Sequence, residues 1–353
     1  MPRERMSGGR LDLERVAAAH AGGHVVDLAW QRERSIVAAA SADGPILVTD
    51  ADTLAPRCEI PGHGMGNSSV SLHASGALVA TGGQDAQVRI CSTASGVVHQ
   101  TLSTGGPWCE RVRYHQSGKY LAAATGRHVL VWDADGELLH RWGPHASTVA
   151  DIAWYGDVLA SAAYGAITTW GLGGETATRV YPWKGASLRL LWSPTGRFIA
   201  TGDQDSTVHF WYVDSGKDLQ MYGYQTKVLE LAWDAGGRYL ATGGGTVPVI
   251  WDCAGPKGPE NSRPIELVYH GAPVSSLAFS HRGALLASGD RAGEVAVWDP
   301  IESDRLTPVG AAAADGSEIT ALLWSADDTA LVAATADGAV IRYEVASRTT
   351  DIS

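Results

Sequence analysis

Arg111, Asp151, Arg189 and Glu230 follow one another at spacings of 40, 38 and 41 residues, with Arg113 two positions after the first. Charges of opposite sign recurring at such an interval have two uses. They neutralise one another when gathered out of water, or they hold a charged group of a ligand at a shared opening. Arg111, Arg113 and Arg189 would grip an acidic peptide side chain or a small anion. A second set is aromatic: Trp108, Trp142, Trp183, Tyr222, Tyr224 and Tyr269, with Arg141, Lys184 and Lys227 nearby. Exposed aromatic rings and arginines anchor protein interfaces, whereas the same rings turned inward cap cores. A third set carries metal-ligating atoms. His20, His24, Cys253 and His270 could hold zinc if the fold brought them together, although their spacing matches no dedicated zinc motif. No Gly-x-Ser-x-Gly elbow, phosphate-binding glycine loop or His-Glu-x-x-His stands in the sequence. The Asp327-Asp328 pair reads as a solvated turn, so no catalytic residues are assigned and the chain reads as a non-enzyme.

The elements that position these residues follow from the chain as a whole. Its 353 residues exceed the usual single-domain size, so the alternatives are two domains or an internal repeat. Apolar residues make up 45% and charged residues 18%, a globular balance. The net charge of −11 argues against coating nucleic acid or acidic lipid, because phosphates require a basic surface. The four cysteines form no CxxC pair and read as reduced thiols of a cytoplasmic protein. The polar, Arg-rich start has no apolar core of a signal peptide, and no apolar run reaches the ~20 residues needed to span a bilayer. The Asn67-Ser68-Ser69 sequon therefore carries no weight. The expectation is a cytoplasmic monomer with no cofactor, no nucleic acid and no membrane contact.

A repeat settles the length. A short apolar run ends in an aromatic, turns, and is followed by a Leu-Ala-rich run ending in Ser/Thr-Gly, as in Leu190-Leu191-Trp192 to Ala200-Thr201-Gly202. The aromatic position falls at Trp30, Leu72, Tyr114, Trp154, Trp192, Trp233, Phe279 and Trp324, 38 to 46 residues apart. A third run follows a turn, as in Val295-Ala296-Val297-Trp298-Asp299, and then a more polar fourth. Short β-branched and aromatic runs punctuated by Gly and Asp are strands. Four strands in about 40 residues make one blade of a propeller. The positions three before each aromatic lie on a face opposite to it and are expected to line the central channel. They read Asp27, Ser69, Arg111, Asp151, Arg189, Glu230, Ser276 and Ala321.

The Trp-Asp endings at 132–133, 251–252 and 298–299, with Gly23-His24 and Gly62-His63, resemble the WD40-repeat family; Pro144-His145 and Tyr269-His270 stand at the equivalent place. The resemblance implies an all-β, single closed eight-bladed β-propeller with four antiparallel strands per blade. Seven blades is the alternative, should unit two or four prove irregular. The segment from Leu11 to Val16 alternates apolar and polar, and supplies the outer strand that unit eight lacks. Residues 1–9 are expected to be a flexible N-terminus, 10–346 the propeller and 347–353 a tail. The resemblance also implies that the Gly-His histidines join networks with a Ser/Thr, an Asp and a Trp. Ser41 with Asp43, and Thr81 with Asp85, are the expected partners in the first two units. Pro248 inside a third run foretells an irregular blade six, and the Gly/Pro-rich insertion from Cys253 to Arg263 foretells a loop. That insertion, with the Trp-Asp-Cys before it, is loosely similar to propellers that accompany metal-handling proteins. Function reads first as a protein-interaction scaffold holding a peptide or partner protein at the rim and channel mouth. The alternatives are a small-ligand or zinc-binding propeller acting as metallochaperone or sensor, and an enzyme with its pocket at the channel mouth.

Overall fold

The computed structural model describes residues 11–300 and 307–347, apart from Ala284. The expected flexible N-terminus and most of the expected C-terminal tail lie outside the described residues. Among the described residues, 32 strands form eight four-stranded antiparallel sheets, and Arg32–Arg34 makes a single 3-10 turn. Each sheet is a meander running outward from an inner strand. We call its strands a to d and number the blades from residue 25. Blades one to seven take residues 25–60, 67–103, 109–142, 149–182, 187–221, 231–266 and 274–313. Blade eight is built from Ile319–Trp324, Ala330–Thr335 and Ala339–Ser347, and Leu11–His20 adds its fourth strand. The a strands of consecutive blades touch one another all the way round, blade eight meeting blade one, so the ring is closed.

Turn chemistry sets the meander. The a–b turns of blades two, three, five and six place Gly76, Gly118, Gly196 and Gly237 at φ between +67° and +73°, a region that costs glycine nothing. Blade eight uses Asp328 there, at φ +64°. The core lies between blades rather than within them. Eight clusters of buried side chains each straddle two neighbouring sheets; one joins Val295 and Val297 of blade seven to Trp324 and Tyr343 of blade eight. Each fully buried large apolar side chain contributes roughly 1.5–3 kcal/mol, so stability is shared by neighbours around the ring.

Blade six is irregular, as Pro248 foretells. Its strands are only two to four residues long, and the third starts at Val249, just past the proline. The Pro248 carbonyl still accepts the Leu267 amide at 3.0 Å. The insertion after this strand folds back onto blade five. Arg197 donates to the Gly255 carbonyl at 3.2 Å, Lys217 pairs with Glu260 at 3.1 Å, and the Tyr212 hydroxyl donates to the Lys257 carbonyl.

Candidate functional site

The meander puts d–a connections and b–c turns on one face of the ring, and a–b and c–d turns on the other. Each a strand enters the channel from the first face. In seven blades its register with strand b slips by one residue near that entrance, between Val25 and Asp27 in blade one and at the equivalent places in blades two, three, four, five, seven and eight. Such a bulge bends the strand and re-aims the side chain beside it. The channel position follows each bulge.

The structure gathers Arg113, Asp151, Arg189 and Glu230 around a cavity of about 480 Å³, with Trp154, Ser275, Ser276 and Thr320 also in its wall. Arg111 is not part of that wall; its Nε lies behind it, 3.5 Å from Asp151, and its Nη1 donates to the Ser68 carbonyl. Arg113 Nη1 donates to Ser69 Oγ at 3.0 Å and lies 3.4 Å from Asp27. Burial raises the Asp27 carboxyl, but Arg113, Arg111 and bonds from Val70 and Ser69 outweigh it and hold Asp27 below its usual range. The carboxylates also join blades. Asp27 accepts the Val70 amide of the next blade at 3.0 Å, and Asp151 accepts the Leu190 amide of its next blade at 3.1 Å. Ser69 takes the Val112 amide in the same way, at 3.2 Å. Burial pushes the Glu230 carboxyl above the ordinary range, and it accepts the amides of Leu229 and Gly244 at 3.3 and 3.2 Å.

The expected rim aromatics divide. Trp108 and Tyr269 are 43% and 40% exposed, Tyr222 is 69% exposed, and Lys227 is exposed in the same connection as Tyr222. Trp142 is instead fully buried. It ends a d strand at the position that Ile60, Leu102, Tyr181 and Met221 fill in other blades, stacks on Trp170 with centroids 5.4 Å apart, and donates to the Gly174 carbonyl. Trp183 and Tyr224 are half-buried for a related reason. Both stand nine residues before the aromatic of their a strand, Trp192 and Trp233, as His63, His145 and His270 stand nine before Leu72, Trp154 and Phe279 in blades two, four and seven. Tyr224 does the histidine's work: its hydroxyl bonds Thr242 at 2.9 Å and receives Trp251 Nε1 at 3.2 Å. Trp183 packs on His209, centroids 3.7 Å apart. Sequence reasoning missed three exposed apolar residues on this face, Met65 and Val268 in d–a connections and Tyr164 in a b–c turn. The signal available for Tyr164 was its place beside Gly165 in a two-residue turn.

The histidine networks form where the register allows. In blade seven His270 bonds Asp290 at 2.9 Å and Ser288 at 2.7 Å, and Ser288 receives Trp298 Nε1 at 2.8 Å. In blade two His63 bonds Asp85 and Thr81, as expected. In blade four His145 bonds Ser161, which receives Trp170 Nε1. The expected network of the first unit does not form. His24 lies one residue before its strand rather than four, where Ala21 stands, and is exposed. Ala39 occupies the Ser/Thr position, opposite Leu28, and the buried Ser41 hydroxyl has no partner among the described residues.

The candidate metal residues do not converge. His270 is occupied in the blade-seven network, and Cys253 is buried at the opposite face with its thiol pushed up to about 12 by burial. His20 accepts the Gly22 amide beside blade one. Among the described residues no group of three or more His, Cys, Asp or Glu side chains is placed to hold a metal ion.

The comparisons agree with this geometry. The WD domain, G-beta repeat family matches residues 55–92, 183–212 and 264–299, each running from a d strand or d–a connection through strand c of the next blade. Protein HIR1 of Cryptococcus neoformans var. neoformans serotype D is 28% identical over 180 residues, 41% of this chain and 20% of that protein. Protein HIR1 of Mycosarcoma maydis is 28% identical over 178 residues, 40% of this chain and 18% of that one. The match thus spans about a fifth of the length of these curated relatives. The crystal structure of the computationally designed Ika8 protein superposes with a TM-score of 0.80, covering 94% of this chain and 99% of that one at 21% identity, a likeness of fold. With the family's repeat matched in three places and its four-stranded blade built eight times, this chain is a member of the WD40-repeat family.

Proposed function

We propose that this protein is a non-enzymatic binding platform that holds a partner protein or peptide on the face carrying the d–a connections. WD40 propellers generally act as protein-interaction scaffolds. The observation that carries the reading here is the placement of exposed apolar residues. Met65, Trp108, Tyr164, Tyr222 and Tyr269 come from five separate connections and turns, yet all stand on one face around the channel mouth. Large rings exposed together on a rigid scaffold supply contact area at low entropic cost, and they are the usual anchors of interfaces. Their polar atoms are tethered to neighbours: Trp108 Nε1 to Glu110, the Tyr222 hydroxyl to Gln220, and the Tyr269 hydroxyl to Glu294. Rings held in this way lose little further freedom on binding. Lys227 supplies an exposed positive charge in the same connection as Tyr222.

The test is affinity capture from the native host with three baits: the unaltered chain, Trp108→Ala with Tyr222→Ala, and Tyr155→Ala on the opposite face. A partner should come down with the first and third and fall at least about tenfold with the second, since anchor residues are worth 2 kcal/mol or more each. Equal recovery by all three baits removes this face from consideration.

A further inference from the structure

We propose that the channel mouth is a receptor for a single carboxylate group, bound at the Arg189 guanidinium. The argument begins with what the neighbouring positions do. At the channel position Asp27, Ser69 and Asp151 each accept an amide of the next blade, which joins consecutive sheets at the channel wall. Arginine has donors only and cannot make that bond. Arg111 and Arg189 therefore take no part in a joining that the fold makes at three of its eight channel positions.

The three arginines are not equivalent. Arg113 is matched by Asp27 and Ser69, and Arg111 lies against Asp151. The Arg189 side chain makes no hydrogen bond or ion pair with any described residue, although it lines the cavity. It feels the like charge of Arg111 and the charge of Glu230, whose Oε2 accepts two backbone amides. A second observation points the same way. Thr320 Oγ1 is buried with no hydrogen-bond partner among the described residues, and Thr320 is in the wall of the same cavity. A buried donor left unmatched costs about 1–3 kcal/mol, which an acceptor held at the adjoining guanidinium can relieve. An acceptor that carries negative charge, is planar and binds two donors side by side is a carboxylate. The cavity is wide enough for an Asp or Glu side chain, a chain-terminal carboxylate or a small free acid, and the apolar walls from Leu190, Leu229 and Leu277 suit the carbon atoms behind it.

The experiment is calorimetric titration of the full chain at low salt with four probes: an Ac-Gly-Glu-Gly-amide peptide, Ac-Gly-Gly-Gly with a free C-terminal carboxylate, glutarate, and the neutral Ac-Gly-Gln-Gly-amide. At least one carboxylate probe should bind saturably with a dissociation constant of roughly 1 mM or tighter, in the range that a charge-assisted bidentate contact supports. The glutamine peptide should bind at least about tenfold more weakly. Preference among the three acids identifies the source as side chain, chain end or small acid. Arg189→Gln, at a half-exposed residue with no partner to lose, should keep the melting temperature and weaken binding at least about tenfold. Trp108→Ala with Tyr222→Ala should leave it unchanged, so this site and the rim are judged separately. No saturable binding by any acid overturns the proposal, as does equal binding by Arg189→Gln or by the glutamine peptide.

Discussion

A chain lacking residues 1–20 is expected to lose its cooperative fold. The segment Leu11–His20 pairs with Ala339–Ser347 at nine positions, from Leu11↔Ser347 to His20↔Ala339, with a bulge between Arg15 and Ala17. Each ladder bond contributes about 0.5–1.5 kcal/mol net, so the strand as a whole is worth about 5–14 kcal/mol before its apolar contacts are added. Leu11 and Leu13 pack into the cluster between blades seven and eight, and Ala17 and Ala19 into the one between blades eight and one. The sum is comparable with the whole stability of an ordinary domain, about 5–15 kcal/mol. Removal also bares the edge of Ala339–Ser347, a template for association with other chains. Thermal unfolding and sedimentation should show a broad, early transition and aggregates, and adding a synthetic peptide of residues 11–20 should restore part of the loss. A truncated monomer melting within a few degrees of the full chain would contradict the closure.

The second large effect concerns two buried serines that undergo the same chemical change. Ser288→Ala should destabilise by about 2–6 kcal/mol, because it leaves both His270 Nε2 and Trp298 Nε1 buried without partners, at about 1–3 kcal/mol each. Ser41→Ala should cost less than about 0.5 kcal/mol, since the equally buried Ser41 hydroxyl bonds nothing among the described residues. Denaturant midpoints of the two variants measure the difference directly. The same network sets a pH dependence. Burial first, against the opposing pull of Asp290, holds His270 below its ordinary value of 6.5, and burial likewise lowers His63 and His145. The unfolded chain therefore takes up protons near pH 6.5 while the folded chain does not. Stability should be level above that value and fall as pH drops from about 6.5 toward 5.5, before the carboxylates titrate. A flat midpoint across that window would show that these histidines are not held neutral.

The blade count was legible because the period of about 40 residues is carried by the inner-strand aromatic, and a leucine at 72 does not break it. The closing strand was legible from its alternation, although it runs on to His20 past a bulge that hides the pattern at Val16. Errors came from reading neighbours in sequence where register decides. Gly23-His24 looks like the histidine marker, but only its distance to the strand shows that Ala21 fills the slot. Tyr224 and Trp183 look like rim anchors because the slot usually holds histidine; only the pairing of Thr242 with Leu231 reveals that Tyr224 replaces it. Trp142 lies at the mouth in sequence, yet the alternation of its strand turns it inward. Alternating signs at the channel position suggest complete pairing. That Arg189 goes unpaired depends on where the bulges aim each side chain, which no spacing records.

The central claim is that one face of the ring, around the channel mouth, is where partners bind. Covalent labelling of exposed aromatic and methionine side chains, in buffer and in clarified lysate of the native host, tests it most directly. Met65, Trp108, Tyr164, Tyr222 and Tyr269 should lose labelling in lysate while Tyr155, exposed on the far side, keeps it. Unchanged labelling at all five, or protection of Tyr155 in their place, would contradict the account.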